Sequence, residues 1–153
     1  MSVTTTIWEL SVDDLSDMYE CFGSPSEEDK KILKAYFSNG FIGYGCFDVS
    51  GECEGRVPVM LGYCFIKHPL TRPETMTQVR EDSRNAGRAT ELRNYALKQR
   101  TKFCGHVVHT AVNQHNLASV KSVLKSGFQL FDVTKDGNLQ FVKILEYKHE
   151  IQK

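Results

Sequence analysis

The sequence predicts an α/β (α+β) fold, a mixed and mostly antiparallel sheet of about seven strands with four helices divided between its two faces. Three observations predict it. Apolar residues alternate between the two-residue period of strands and the longer period of helices, in the order β-α-α-β-β-β-α-β-α-β-β. Clusters of Gly, Ser, Asn, Asp and Pro punctuate those segments. No internal repeat, low-complexity stretch or linker interrupts the order, so residues 1–153 read as a single domain.

Residues 3–10 carry β-branched Thr and Ile with weak alternation, and predict the first strand. Ser11 is suited to cap the helix that follows, with Asp13 and Asp14 in its first turn. Leu15, Met18, Tyr19 and Phe22 form that helix's apolar stripe. After the loop Gly23-Ser24-Pro25, Ser26 is placed to cap a second helix, with Asp29 as a loose capping-box acid. Ile32, Leu33, Tyr36 and Phe37 are expected on its buried face, and Asn39-Gly40 at its end. Phe41–Val49 and Val57–Ile66 read as two strands around a turn at Asp48–Arg56, with Val59, Leu61, Tyr63 and Phe65 alternating in the second. Thr75–Val79 is a short strand after the Pro69–Pro73 loop. A helix is expected over Thr90–Lys102, a strand over Val107–Val112, and a helix from Asn116 that Gly127 terminates. Phe128–Val133 and Leu139–Glu146 then form a hairpin around Lys135-Asp136-Gly137-Asn138, where Asp-Gly is a strong turn signal.

Composition narrows the function classes. The chain has 153 residues, 41% of them hydrophobic, enough for a proper core. Nineteen basic and nineteen acidic residues cancel, which argues against a broad nucleic-acid surface. No apolar run is long enough to cross a bilayer, and no signal peptide is evident. The five cysteines are odd in number and none forms C-x-x-C. Cys46, Cys64 and Cys104 sit among apolar residues as core hydrophobes, so a reduced cytoplasmic protein is expected. Cys and His show no ligand spacing, so no metal is expected.

The chemistry-bearing stretch is Arg84-Asn85-Ala86-Gly87-Arg88-Ala89, between a strand and a helix that begins at Thr90. The first amides of a helix have no intrahelical acceptor, and the helix dipole adds positive potential there. Such a loop can hold a phosphate or pyrophosphate, and Gly87, without a Cβ, lets the backbone approach it. A second block follows downstream: Asn116-Leu117-Ala118-Ser119, Val123, then Lys125-Ser126-Gly127-Phe128.

The pattern Arg-x-x-Gly-x-Ala after Val79, with the Asn-x-x-Ser block and its closing Gly-Phe, resembles the GCN5-related N-acetyltransferase (GNAT) superfamily. Ile7-Trp8-Glu9-Leu10 with Val12–Leu15 resembles the family's opening, so the likeness spans nearly the whole chain. The resemblance implies acetyl-CoA as co-substrate and direct transfer of its acetyl group to an amine of a small molecule or protein. It also implies that the strand ending at Val79 splays from the strand at Val107–Val112 to admit the pantetheine arm. Thr77, Gln78 and Val79 would contact that arm. Arg84, Asn85, Ala86, Gly87, Arg88, Ala89 and Thr90 would hold the pyrophosphate, and Asn116 would contact the arm while also serving as an N-cap.

One position departs from the pattern. Val123 stands where many members carry the Tyr that protonates the departing thiolate. The sequence therefore fixes no catalytic residue. Glu74 and Glu81 are candidate bases. His106 and His109 face opposite ways, so at most one points into the cleft. Tyr44 and Tyr63 are expected as core or acceptor-pocket aromatics. A GNAT-fold protein that binds CoA or a partner without transfer is the alternative, and an unrelated α/β domain is a third. No nucleic-acid or membrane partner is expected, and the final strands leave room for a homodimer.

Overall fold

The computed structural model describes residues 3–84, 87–100 and 107–145. Among these residues seven strands form one sheet: β1 (Thr5–Glu9), β2 (Ile42–Asp48), β3 (Val59–Lys67), β4 (Glu74–Val79), β5 (Val107–Asn113), β6 (Gln129–Val133) and β7 (Asn138–Ile144). Four α-helices accompany them among the described residues: α1 (Leu15–Phe22), α2 (Glu27–Ser38), α3 (Arg88–Arg100) and α4 (Leu117–Lys125). The strand order is β1-β2-β3-β4-β5-β7-β6. Every neighbouring pair is antiparallel except β4 and β5, which run parallel.

Local chemistry explains the boundaries. Asp29 N donates to Ser26 Oγ at 3.1 Å, and Ser26 N donates to Asp29 Oδ2 at 2.9 Å. This reciprocal pair satisfies two donors that α2 leaves open. Ser11 and Asp14 form the same arrangement ahead of α1, where the first turn is 3-10 rather than α. Gly127 ends α4 at φ +87, a left-handed conformation that side chains rarely adopt.

α1 and α2 cover one face of the sheet, where Met18, Leu33, Phe47, Tyr63 and Phe65 interlock. α3 covers the other face through Leu92 and Ala96, above Cys46, Cys64 and Ile66. α4 extends that layer with Val123 over Val108 and Phe141. β3 lies between β2 and β4 and is buried on both faces from Met60 to Ile66, beyond the one-sided alternation expected of it. Its expected member Val59 is 41% exposed at the strand's start.

Two expectations need correction. Ile32 is 47% exposed rather than buried. α2 packs through Leu33, Tyr36 and Phe37, and Ile32 stands about 100° round the helix from Leu33, outside the contact stripe. α3 begins at Arg88, two residues before Thr90, so Arg88, Ala89 and Thr90 form its first turn. The expected ends at Lys102 and Glu146, and the readings on Cys104 and His106, lie outside the described residues. Among the described residues, no helix is long and apolar enough to cross a membrane.

Candidate functional site

The parallel strands β4 and β5 meet only at their starts. Glu74 pairs with His109, and His109 N donates to the Pro73 carbonyl at 2.8 Å. Thr110 Oγ1 donates to the Thr75 carbonyl at 2.9 Å, so a side chain replaces the next rung. Beyond that the strands diverge as a wedge. Strand parity decides what faces it. Arg80 N donates to Leu61 O, so the main-chain groups of Arg80, Gln78 and Met76 face β3. Those of Thr75, Thr77 and Val79 face the wedge. Arg84 Nε reaches the Val79 carbonyl at 3.3 Å. The Val79 amide and both main-chain groups of Thr77 remain directed into the opening. Gln78 also lines it.

The wedge opens into a cavity of about 490 Å³ between β4, α3 and α4. Its lining brings together most of the residues that sequence reasoning selected: Thr77, Gln78, Val79, Arg84, Gly87, Arg88, Ala89, Thr90 and Asn116. Asn85 and Ala86 lie outside the described residues. Gly87 has φ +75 with nothing within 4 Å of where a Cβ would stand, so its backbone is accessible from the cavity. The Gly87 carbonyl accepts the first α3 bond, from Glu91 N at 3.0 Å. The amides of Arg88, Ala89 and Thr90 precede it and have no intrahelical acceptor. Arg88 is held by Glu91 at 3.9 Å, a partial neutralisation at the cavity rim.

α4 contributes residues that sequence reasoning missed. Lys121, Ser122 and Lys125 line the cavity with Ala118 and Ser119. The signal was present, because Lys121 and Lys125 are one turn apart and share a face with Asn116's end of the helix. Four cations (Arg84, Arg88, Lys121 and Lys125) and no carboxylate occur among the described lining residues. The cavity therefore suits an anion. Asn116 caps α4 by accepting from Ser119 N at 3.2 Å through Oδ1, which leaves its amide nitrogen for a ligand. Val123 is 1% exposed in the core and cannot donate a proton.

The opposite face of the wedge holds a separate group. Pairing places Glu74 and His109 side by side, on the side covered by α1 and α2 and away from the cavity. Among the described residues His109 Nδ1 is buried without a hydrogen-bond partner. Burial pushes the His109 pKa below the usual imidazole value, Arg72 lowers it further, and Glu74 opposes both. The imidazole is therefore neutral at neutral pH. Its ring meets Phe131 edge-on at 5.9 Å. Glu81 is exposed in the turn after β4. Tyr44 and Tyr63 are core residues, 4% and 1% exposed, and burial pushes the Tyr63 phenol well up. Burial likewise pushes the Cys21 thiol up to about 12. Among the described residues no group of three His, Cys, Asp or Glu could hold a metal.

Neither a family model nor a curated relative matches the sequence. Solved structures match the fold. One is the ribosomal-protein-S18-alanine N-acetyltransferase from Escherichia coli, with TM-score 0.75 and 14% identity over 98% of this chain and 99% of that one. Another is the PaiA N-acetyltransferase from Thermoplasma acidophilum in complex with coenzyme A. It has TM-score 0.74 and 18% identity over 92% of this chain and 99% of that one. A third is a GNAT-superfamily phosphinothricin acetyltransferase from Sinorhizobium meliloti in complex with acetyl-CoA. It has TM-score 0.73 and 15% identity over 93% of this chain and 89% of that one. The protein thus has the fold of the GCN5-related N-acetyltransferases.

Proposed function

We propose that the protein is an acetyl-CoA-dependent N-acetyltransferase acting on an amine of a small molecule or protein. The observation that carries this reading is the open wedge between β4 and β5, continuous with a cavity whose described lining has four cations and no carboxylate. The cavity suits the donor's pyrophosphate, through Gly87, Arg84 and the first amides of α3. The main-chain groups of Thr77 and Val79 suit its pantetheine arm as an added strand would. Asn85 and Ala86 belong to the same proposed loop by their place in the sequence. That several solved neighbours hold CoA or acetyl-CoA supports the choice of donor.

The acceptor would approach from the face bearing Glu74 and His109, opposite the phosphates. Its nitrogen attacks the thioester carbonyl, a C–N bond forms, the C–S bond breaks, and the thiolate leaves. In this reading the neutral His109 would take the amine proton, and Glu74, paired beside it, would stabilise the imidazolium that results. With Val123 in place of a phenol, the thiolate takes its proton from water. Holding donor and acceptor together supplies most of the acceleration, on the order of 7–11 kcal/mol. Spermidine and the alanine of a ribosomal protein are the acceptors named for two structural neighbours, which fits an amine here. The free thiols of Cys21, Cys46, Cys53 and Cys64 fit a cytoplasmic setting.

Val123 favours a second reading, a CoA-binding protein that transfers nothing. A thiol-release assay with acetyl-CoA across a panel of polyamines, amino acids and peptides separates the two. The first reading expects amine-dependent thiol release. Tight CoA binding with none would leave the second, and no binding at millimolar CoA would remove both.

A further inference from the structure

Behind the cavity wall lies a charge that no carboxylate pairs among the described residues. Arg93 is 4% exposed at the α3–α4 interface. One guanidinium nitrogen, Nη1, donates to Ser122 Oγ at 3.0 Å and to Ser126 Oγ at 3.1 Å. Arg93 Nε is buried with no partner, and no carboxylate pairs with the side chain among the described residues. Two neutral hydroxyls are poor compensation. Burial lowers the Arg93 pKa, yet a guanidinium starts so high that it stays charged. Isolated buried charges are costly, and proteins ordinarily pair them.

The hydroxyls lead to the cavity. Ser122 Oγ lies 2.8 Å from Thr90 Oγ1, and both residues line the cavity. Arginine can only donate, so Ser122 accepts from Arg93, and its own hydrogen is available to Thr90, although either hydroxyl can be the donor of that bond. With Ser122 as the donor, the Thr90 hydroxyl hydrogen is available to a ligand in the cavity. Each bond in such a chain polarises the next.

We propose that Arg93 is a fixed counter-charge for the donor's phosphates, acting through Ser122 and Thr90. This rests on the donor-site reading above and goes beyond it. The residue touches no ligand and is a positioning residue. An anion in the cavity neutralises it, so ligand affinity draws on a charge that no carboxylate pairs among the described residues. Being buried, the charge is screened far less by salt than the rim cations Lys121 and Lys125.

The test uses Arg93→Gln, which keeps hydrogen-bonding capacity and removes charge, and Arg93→Lys, which keeps charge. Affinities for CoA and for inorganic pyrophosphate are measured calorimetrically at low and high salt. Arg93→Gln should weaken both ligands by roughly tenfold, as loss of a charge-assisted donor chain does. That ratio should persist at high salt. Arg93→Lys should stay within about threefold of the wild type, since the charge is retained. Wild-type affinity in Arg93→Gln would overturn the proposal. So would equal losses in both variants, or in a Gln variant that fails to fold beside a Lys variant that has lost affinity, since each marks Arg93 as packing alone. Failure of the wild type to bind either ligand would instead remove the donor-site reading, and this inference with it.

Discussion

The two edges of β4 are built to opposite ends. Against β3 the strand pairs at every residue, from Lys67↔Glu74 to Gly62↔Val79. Against β5 it pairs once, at Glu74↔His109. An interior strand ordinarily uses both edges, because buried unpaired main-chain groups are costly. Here Thr110 and Arg84 satisfy the Thr75 and Val79 carbonyls from side chains, and the groups between them stay open. One edge therefore contributes stability, and the other presents a ready template for an extended ligand. The helices divide in the same way. α2 satisfies its own N-terminus with Ser26 and Asp29 and carries Glu27, Glu28 and Asp29 in its first turn. The first turn of α3 starts with Arg88 instead, beside a cavity that suits an anion.

The sharpest way to break this division is to fill the open side with charge of the wrong sign. Gly87→Asp puts a carboxylate where phosphate is proposed to sit, and strains a backbone at φ +75. Acetyl-CoA affinity should fall by roughly a hundredfold or more, read by titration calorimetry. Proline separates the two edges directly. Met76→Pro removes a donor from the β3 side and should cost about 3 kcal/mol or more in denaturant melts. Thr77→Pro removes one from the wedge side. It should destabilise by less than Met76→Pro while lowering acetyl-CoA affinity about tenfold. Equal stability losses at both positions would contradict the parity argument.

Smaller effects sharpen the picture. Thr110→Val leaves the buried Thr75 carbonyl without its donor and should cost about 1–3 kcal/mol. Ser26→Ala lies far from the wedge and should cost about 1 kcal/mol with acetyl-CoA affinity unchanged. The pH dependence is the subtlest. The folded His109 holds its proton less tightly than the unfolded value of 6.5. As pH falls, the unfolded chain therefore takes up that proton first. This contribution to stability is constant above about 6.5 and declines as pH drops through the lower folded pKa. The acid limb of kcat/KM should have its midpoint below 6.5 in the wild type and vanish in His109→Gln.

Features set by neighbouring residues were legible in the sequence. Ser26 and Asn116 cap the helices expected of them, and Ser11 caps the 3-10 turn that leads into α1. The Asp-Gly turn joins β6 to β7, and Gly127 closes α4. The loop that lines the cavity stood out in the sequence through Gly87 and the basic residues around it. What escaped notice depends on packing between distant segments. Ile32 falls within an apolar run, yet the face α2 turns to the sheet is too narrow to include it. Arg93 reads as a surface residue in a polar helix, and only the approach of α4 buries it. The side-by-side placement of Glu74 and His109 joins residues 35 apart through one parallel rung.

The most direct test of the central claim is amide hydrogen exchange with and without saturating acetyl-CoA, resolved at single residues by NMR. The account predicts new protection at the amides of Thr77 and Val79 and at the start of α3, with β1 unchanged. Unchanged exchange at Thr77 and Val79 under saturating ligand would contradict it.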